Sequence, residues 1–254
     1  MTIAVVAMIG CSSDDKEKYV EEPVDVLYNK AIRKMNEEDY KKAAKDFDEV
    51  ERQHPYSPWA TQAQIMAAYA YYQGNQYDDA ILTLDRFIEL HPASPEVPYA
   101  YYLRALSYYE QISSVERDQE MTEKAKRALE DLIARYPDSK YARDARVKLD
   151  LTIDHLAGKE MTIGRYYLQR QFYLAAINRF RTVVEQYQTT THVAEALLRL
   201  TEAYTALGLD NEARNVASVL AYNYPGTEWY ADAYALVGGA GGAPAPAQPW
   251  YQFW

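Results

Sequence analysis

The chain has 254 residues, 48% hydrophobic and 25% charged, with only 10 Gly and 11 Pro, a balance that supports a buried core and excludes a wholly disordered chain. A formal net charge of −10 argues against a nucleic-acid partner, because phosphate binding needs a concentrated basic face. Tyrosine is over-used, 25 against 5 Phe, and its apolar ring with a wet hydroxyl suits a partly exposed groove better than a dry core.

In chain order, residues 3–9 (IAVVAMI) are apolar, Gly10 is small, Cys11 is the sole cysteine, and the chain turns polar after Ser12. One thiol makes neither an internal disulfide nor a structural zinc site. Apolar core, small residue and polar chain is the order of a secretory signal. Met8-Ile9-Gly10-Cys11 also resembles a bacterial lipobox, which implies acylation of Cys11, and Ser12 rather than Asp after it leans towards the outer membrane. The apolar run is too short to span a bilayer, which needs about 20 residues, but two or more acyl chains anchor stably. Residues 1–10 are therefore expected to be signal, 11–23 a tether from a lipidated Cys11.

Beyond the tether, five segments align: HPYSPWA from His54, HPASPEV from His91, YPDSKYA from Tyr136, YQTTTHVAEA from Tyr187 and YPGTEWYADA from Tyr224. Twelve residues before the second residue of each stands Ala43, Ala80, Ala125, Ala176 or Ala213; eight before, Phe47, Leu84, Leu129, Phe180 or Ala217; five before, Val50, Phe87, Leu132, Val183 or Leu220. This is one buried stripe of a helix that stops at the proline slot, with alanine where a second helix crosses closely. The preceding helices repeat too, QIMAAYAYYQ matching YYLRALSYYE. The pattern resembles the tetratricopeptide repeat, and strand signals are missing. An all-α superhelical solenoid of five helix-turn-helix repeats is expected over 24–237, divided 24–57, 58–94, 95–139, 140–189 and 190–226 with a terminal helix 227–237.

Repeat three carries eight extra residues, placed in the polar loop Ile112–Glu120. Repeat four carries fourteen, close to four helical turns, so the phase survives. The spacing predicts one elongated first helix from Tyr141 to about Arg170, with Gly158 and Gly164 as places for a bend; two helices broken at Ala157-Gly158-Lys159 are the alternative. Residues 238–254 form a Gly/Pro/Ala linker and the aromatic tail WYQFW, which either packs on the last repeat or docks a partner.

No phosphate-binding, zinc-protease or nucleophile-elbow motif is present, so neither an enzyme nor a cofactor is expected. Glu37-Glu38 and Asp78-Asp79 are placed at the start of second helices, where negative charge favours the helix N-terminus. Solenoids bind along the face lined by first helices. That face should carry Tyr28, Tyr69, Tyr72, Tyr102 and Tyr109, apt for an extended peptide with aromatic side chains, whereas Tyr71 and Tyr108 hold core positions. In repeat four, Arg165, Arg170, Arg179 and Arg181 form a basic patch on an acidic chain, read as a partner surface.

HPYSPWATQAQIMAAYAYYQ, LDRFIELHP, YPDSKYARDA and YYLQRQFYLAAINRF together resemble the BamD family, tetratricopeptide lipoproteins of the bacterial β-barrel assembly machinery, from about Asp25 to Tyr224. The resemblance implies a lipoprotein on the periplasmic face of the outer membrane. Its implied partners are other assembly lipoproteins, unfolded outer-membrane proteins recognised by the N-terminal repeats, and a BamA-like barrel protein. The POTRA domains of that barrel protein would meet Arg165, Tyr166, Arg170, Asn178 and Arg179. The third-repeat insertion is shorter than in enterobacterial members. The competing expectation is another lipid-anchored scaffold, a secretin pilotin or a Tol-Pal coordinator, although the latter usually adds a coiled coil and no heptad run appears.

Overall fold

A computed structural model describes residues 21–238, and the expectations for Cys11, the preceding apolar run and the WYQFW tail fall outside them. Among the described residues there are eleven helices and no strand: α1 Val24–Asn36, α2 Tyr40–Gln53, α3 Pro58–Gln73, α4 Tyr77–Leu90, α5 Val97–Tyr109, α6 Glu120–Arg135, α7 Ala142–Gln169, α8 Tyr173–Gln186, α9 Val193–Ala206, α10 Asp210–Asn223 and α11 Glu228–Leu236. Each packs on the next, and α11 folds back on α9. The protein is thus an all-α repeat solenoid in which α1/α2, α3/α4, α5/α6, α7/α8 and α9/α10 are the helix pairs.

The stripe read from the sequence is what holds the pairs together. Ala43, Ala80, Ala125, Ala176 and Ala213 are all buried, as are the Phe, Leu and Val residues four and seven positions further on. Each buried Leu or Phe contributes roughly 1.5–3 kcal/mol, and the alanines let the helix axes approach. Four of the five pairs close through one turn. Glu38, Asn75, Gln171 and Gly208 have φ of 59°, 57°, 64° and 73°. The next residue's amide then bonds back five residues, as in Phe172 N–H to the Tyr167 carbonyl at 2.9 Å, which satisfies orphan carbonyls at the helix end. Glu37 and Glu38 therefore lie in this turn and not in α2, whose N-cap is Asp39, whereas Asp78 and Asp79 do occupy the first turn of α4.

Helix α7 is continuous for 28 residues, about 42 Å at 1.5 Å per residue, with no break at Ala157-Gly158-Lys159. Its extra length has a partner. The third-repeat loop between α5 and α6 lies against it, Lys159 Nζ donating to the carbonyls of Glu116 (2.9 Å) and Arg117 (3.1 Å). A Cβ on Gly158 would sit 3.5 Å from Val115 and 3.3 Å from His192 Nε2, so the glycine leaves room for both the loop and the start of α9. The two irregular insertions of the sequence pack on each other.

Candidate functional site

The first helices of repeats two and three, with the residue that precedes α7, gather tyrosines on one core cluster. Tyr69 and Tyr72 come from α3, Tyr102 and Tyr109 from α5, and all four pack, partly buried, on the same core cluster. Tyr102 stacks on Tyr141 with ring centroids 5.1 Å apart and planes at 22°, and Tyr99 meets the same ring at 5.5 Å. Tyr72 packs edge-on to Tyr77 at 5.7 Å. Tyr28 stands apart in the first-repeat cluster, its ring edge-on to Phe47 (5.4 Å) and Trp59 (4.8 Å). Sequence reading missed Tyr99 and Tyr141. Tyr99 falls where repeat two has Gln62, and Tyr141 precedes α7, so neither shows as a repeated tyrosine.

The hydroxyls are held by neighbours. Tyr102 donates to Asp144 Oδ2 at 2.6 Å and Tyr72 to Glu110 Oε1 at 3.3 Å, while Tyr69 accepts from the Gln73 amide at 2.9 Å. Burial, then the Glu110 carboxylate, pushes the Tyr72 phenol up to about 12, and burial raises Tyr99 and Tyr102 as well. These phenols stay neutral near pH 7. Lys148 Nζ lies 5.8 Å above the Tyr109 ring and 2.8 Å from Asp144, so one wall carries a compensated charge pair. Among the described residues no cluster could hold a metal ion.

The Asp144 carboxyl is held below the usual range, first by Lys148 and then by the Tyr102 hydroxyl. Tyr102→Phe is expected to raise it towards its ordinary value and to cost about 1 kcal/mol. A depressed folded pKa contributes stability above the unfolded pKa and loses it as pH falls. The deficit in urea melts should therefore be complete at neutral pH and close in acid, with carbon NMR of the carboxyl following the same change.

Repeat four does not present its arginines as one basic patch. Arg165 reaches Glu195 at 3.0 Å, Arg179 reaches Glu160 at 3.1 Å and Arg181 reaches Glu185 at 2.9 Å. Arg165 and Arg179 thus join α7 to α9 and α7 to α8, and Asn178 is exposed on α8. Arg170 differs. Its guanidinium stacks over the half-exposed Tyr166 ring at 4.4 Å, with no carboxylate partner among the described residues. Beside it, Phe172 in the α7–α8 turn and Leu174 at the start of α8 are 58% and 70% exposed. Phe172 takes the N-cap place that Asp39 fills in repeat one; like Gln76, Gln119 and Leu209 in the other second helices, it makes no side-chain capping hydrogen bond.

Comparison with known proteins adds the family. The model described as YfiO, outer membrane lipoprotein, matches residues 20–220. The chain belongs to this family. The "Outer membrane protein assembly factor BamD" of Caulobacter vibrioides is 48% identical over 252 residues, covering 96% of this chain and 83% of that protein. The protein of the same name from Rickettsia prowazekii is 48% identical over 228 residues, covering 90% and 91%. That of Neisseria meningitidis serogroup A is 32% identical over 264 residues, covering 100% and 96%. The family description associates the chain with the outer membrane, and among the described residues no helix is long and apolar enough to cross a membrane.

Proposed function

We propose that the chain is a non-enzymatic scaffold of outer-membrane β-barrel assembly. In this reading a lipidated Cys11 anchors it, residues 11–23 tether it, and the repeats over 24–237 stand on the periplasmic face. The tyrosine cluster holds aromatic segments of unfolded outer-membrane proteins. The repeat-four surface around Arg165, Tyr166, Arg170, Asn178 and Arg179 docks the POTRA domains of a BamA-like barrel protein, with other assembly lipoproteins alongside. The observation that carries it is a cluster of neutral, hydrogen-bonded tyrosines on successive first helices, in a chain whose relatives are named assembly factors. Such a cluster stacks on a chain and releases it, with no bond made or broken.

The test is capture of the full-length protein from detergent-solubilised envelope, with mass spectrometry of its partners and of Cys11. A POTRA-bearing barrel protein and an acylated Cys11 are the expected results. A secretin or a Tol-Pal component in its place, with no barrel-assembly protein, would remove the proposal.

A further inference from the structure

The second helices of successive repeats leave clefts between them, and the proline slot sets these in register. Glu51 and Arg86, in the cleft between α2 and α4, are equivalent to Val184 and Val219, in the cleft between α8 and α10. Glu51 and Arg86 form an ion pair at 2.5 Å, where the last cleft has two buried valines. The place of Val219 is polar in every other repeat, held by Glu49, Arg86, Asp131 and Thr182. Gln188 breaks the pattern too, standing where the other four repeats have Pro55, Pro92, Pro137 and Pro225.

These departures meet at one cavity of about 280 Å³, lined by Val184, Gln188 and Val219 together with Val193 and Leu197 of α9. No charged side chain lines it among the described residues, in a chain of net charge −10. Its polar groups are two amides, those of Gln188 and Asn223. Gln188 donates to the Glu185 carbonyl at 3.2 Å and Asn223 to the Val219 carbonyl at 2.9 Å. Neither amide oxygen accepts a hydrogen bond among the described residues. Apolar side chains beside spare acceptors suit an uncharged ring with one donor. Indole is such a ring, flat, apolar and donor-only through its N–H.

The chain carries that group within reach. Residues 238–254 contain no charged side chain and include Trp250-Tyr251-Gln252-Phe253-Trp254. Tyr224, which also lines the cavity, caps α10, and α11 begins four residues later. Four residues of chain and a nine-residue helix place Val237 no more than about 30 Å from Tyr224. Residues 238–249 span up to about 40 Å, enough to return to the cavity wherever the end of α11 points.

We infer that this cavity seats the chain's own aromatic segment, residues 250–254. The Trp250 indole lies between Val184 and Val219 and donates its N–H to the amide oxygen of Gln188 or Asn223. Seated there, the segment bridges α8 and α10 and latches repeat four to repeat five. Among the described residues no further second helix covers α10, and a solenoid end needs a cap. The inference does not rest on the assembly reading and uses none of the residues assigned above to docking.

The test is methyl NMR of the full-length protein in detergent, set against a variant carrying Trp250→Ser, Tyr251→Ser, Phe253→Ser and Trp254→Ser. Loss of the ring currents should move the methyl signals of Val184, Val193, Leu197 and Val219 and leave the other methyls of the solenoid in place. Trp250→Ser alone should reproduce most of that shift. Unlabelled wild-type protein added to the labelled variant should not restore the original positions. Unmoved cavity methyls, shifts that Trp250→Ser does not reproduce, or shifts centred on the tyrosine cluster would each overturn the inference. Restoration by added wild type would overturn it as well, since a second copy would then supply the segment.

Discussion

Gly164→Leu is expected to lower the unfolding free energy by about 3 kcal/mol, although leucine is the better helix former. A Cβ at Gly164 would lie 2.4 Å from Phe180 Cε1 and 2.8 Å from its Cδ1, and Phe180 is fully buried. Phe180→Ala alone should cost about 3–5 kcal/mol through the cavity it leaves. The two together should be at least about 2 kcal/mol more stable than the sum of the singles, because the leucine grows into the vacated ring position. Urea unfolding followed by circular dichroism measures all four corners of the cycle. Additive costs would mean that α7 and α8 do not meet at this contact.

The same glycine shows how far the sequence could be read. Gly164 fits the small-residue place that Ala68 and Ala105 hold in earlier first helices, but from the sequence it was a candidate bend, because which face of α7 meets α8 depends on a helical phase carried across fourteen extra residues. The repeat skeleton was legible because the same physical demand recurs: a small residue at the crossing, large apolar residues one and two turns on, proline at the stop. Gly158 was likewise a candidate break and instead seats the third-repeat loop. Contacts between two irregular insertions have no second copy in the chain, so periodicity cannot show them.

The candidate sites were legible in part for a related reason. Tyr69, Tyr72, Tyr102 and Tyr109 could be placed on one face because they share helices of known phase, and the structure packs them together. Their hydrogen-bond partners Asp144 and Glu110 lie 42 and 38 residues away and emerge only when repeats stack. Counting arginines in repeat four suggested a basic surface, yet charge along a sequence does not reveal pairing across helices. Glu195 and Glu160 neutralise Arg165 and Arg179, and what remains open is an arginine on a tyrosine next to exposed apolar side chains. Apolar area with a few oriented charges is the composition of a specific protein contact.

Arg179 therefore needs a test that separates docking from folding. In the assembly reading, Arg179→Glu should reduce capture of the POTRA-bearing protein more than tenfold, on the scale of losing one partner of a close interfacial charge pair. The single substitution also sets two carboxylates where Arg179 and Glu160 now meet at 3.1 Å, and should cost about 1 kcal/mol of stability for a half-exposed pair. Adding Glu160→Arg restores the pair with its charges exchanged, so the melting temperature should return towards wild type. Capture should not return, because the positive charge then stands on α7 while α8 presents a carboxylate to the partner. Should the exchanged pair capture the barrel protein as well as wild type does, Arg179 only fastens α8 to α7, and the docking surface reduces to Arg170, Tyr166 and the apolar α7–α8 turn. Loss of capture in a protein as stable as wild type places the arginine at the contact itself.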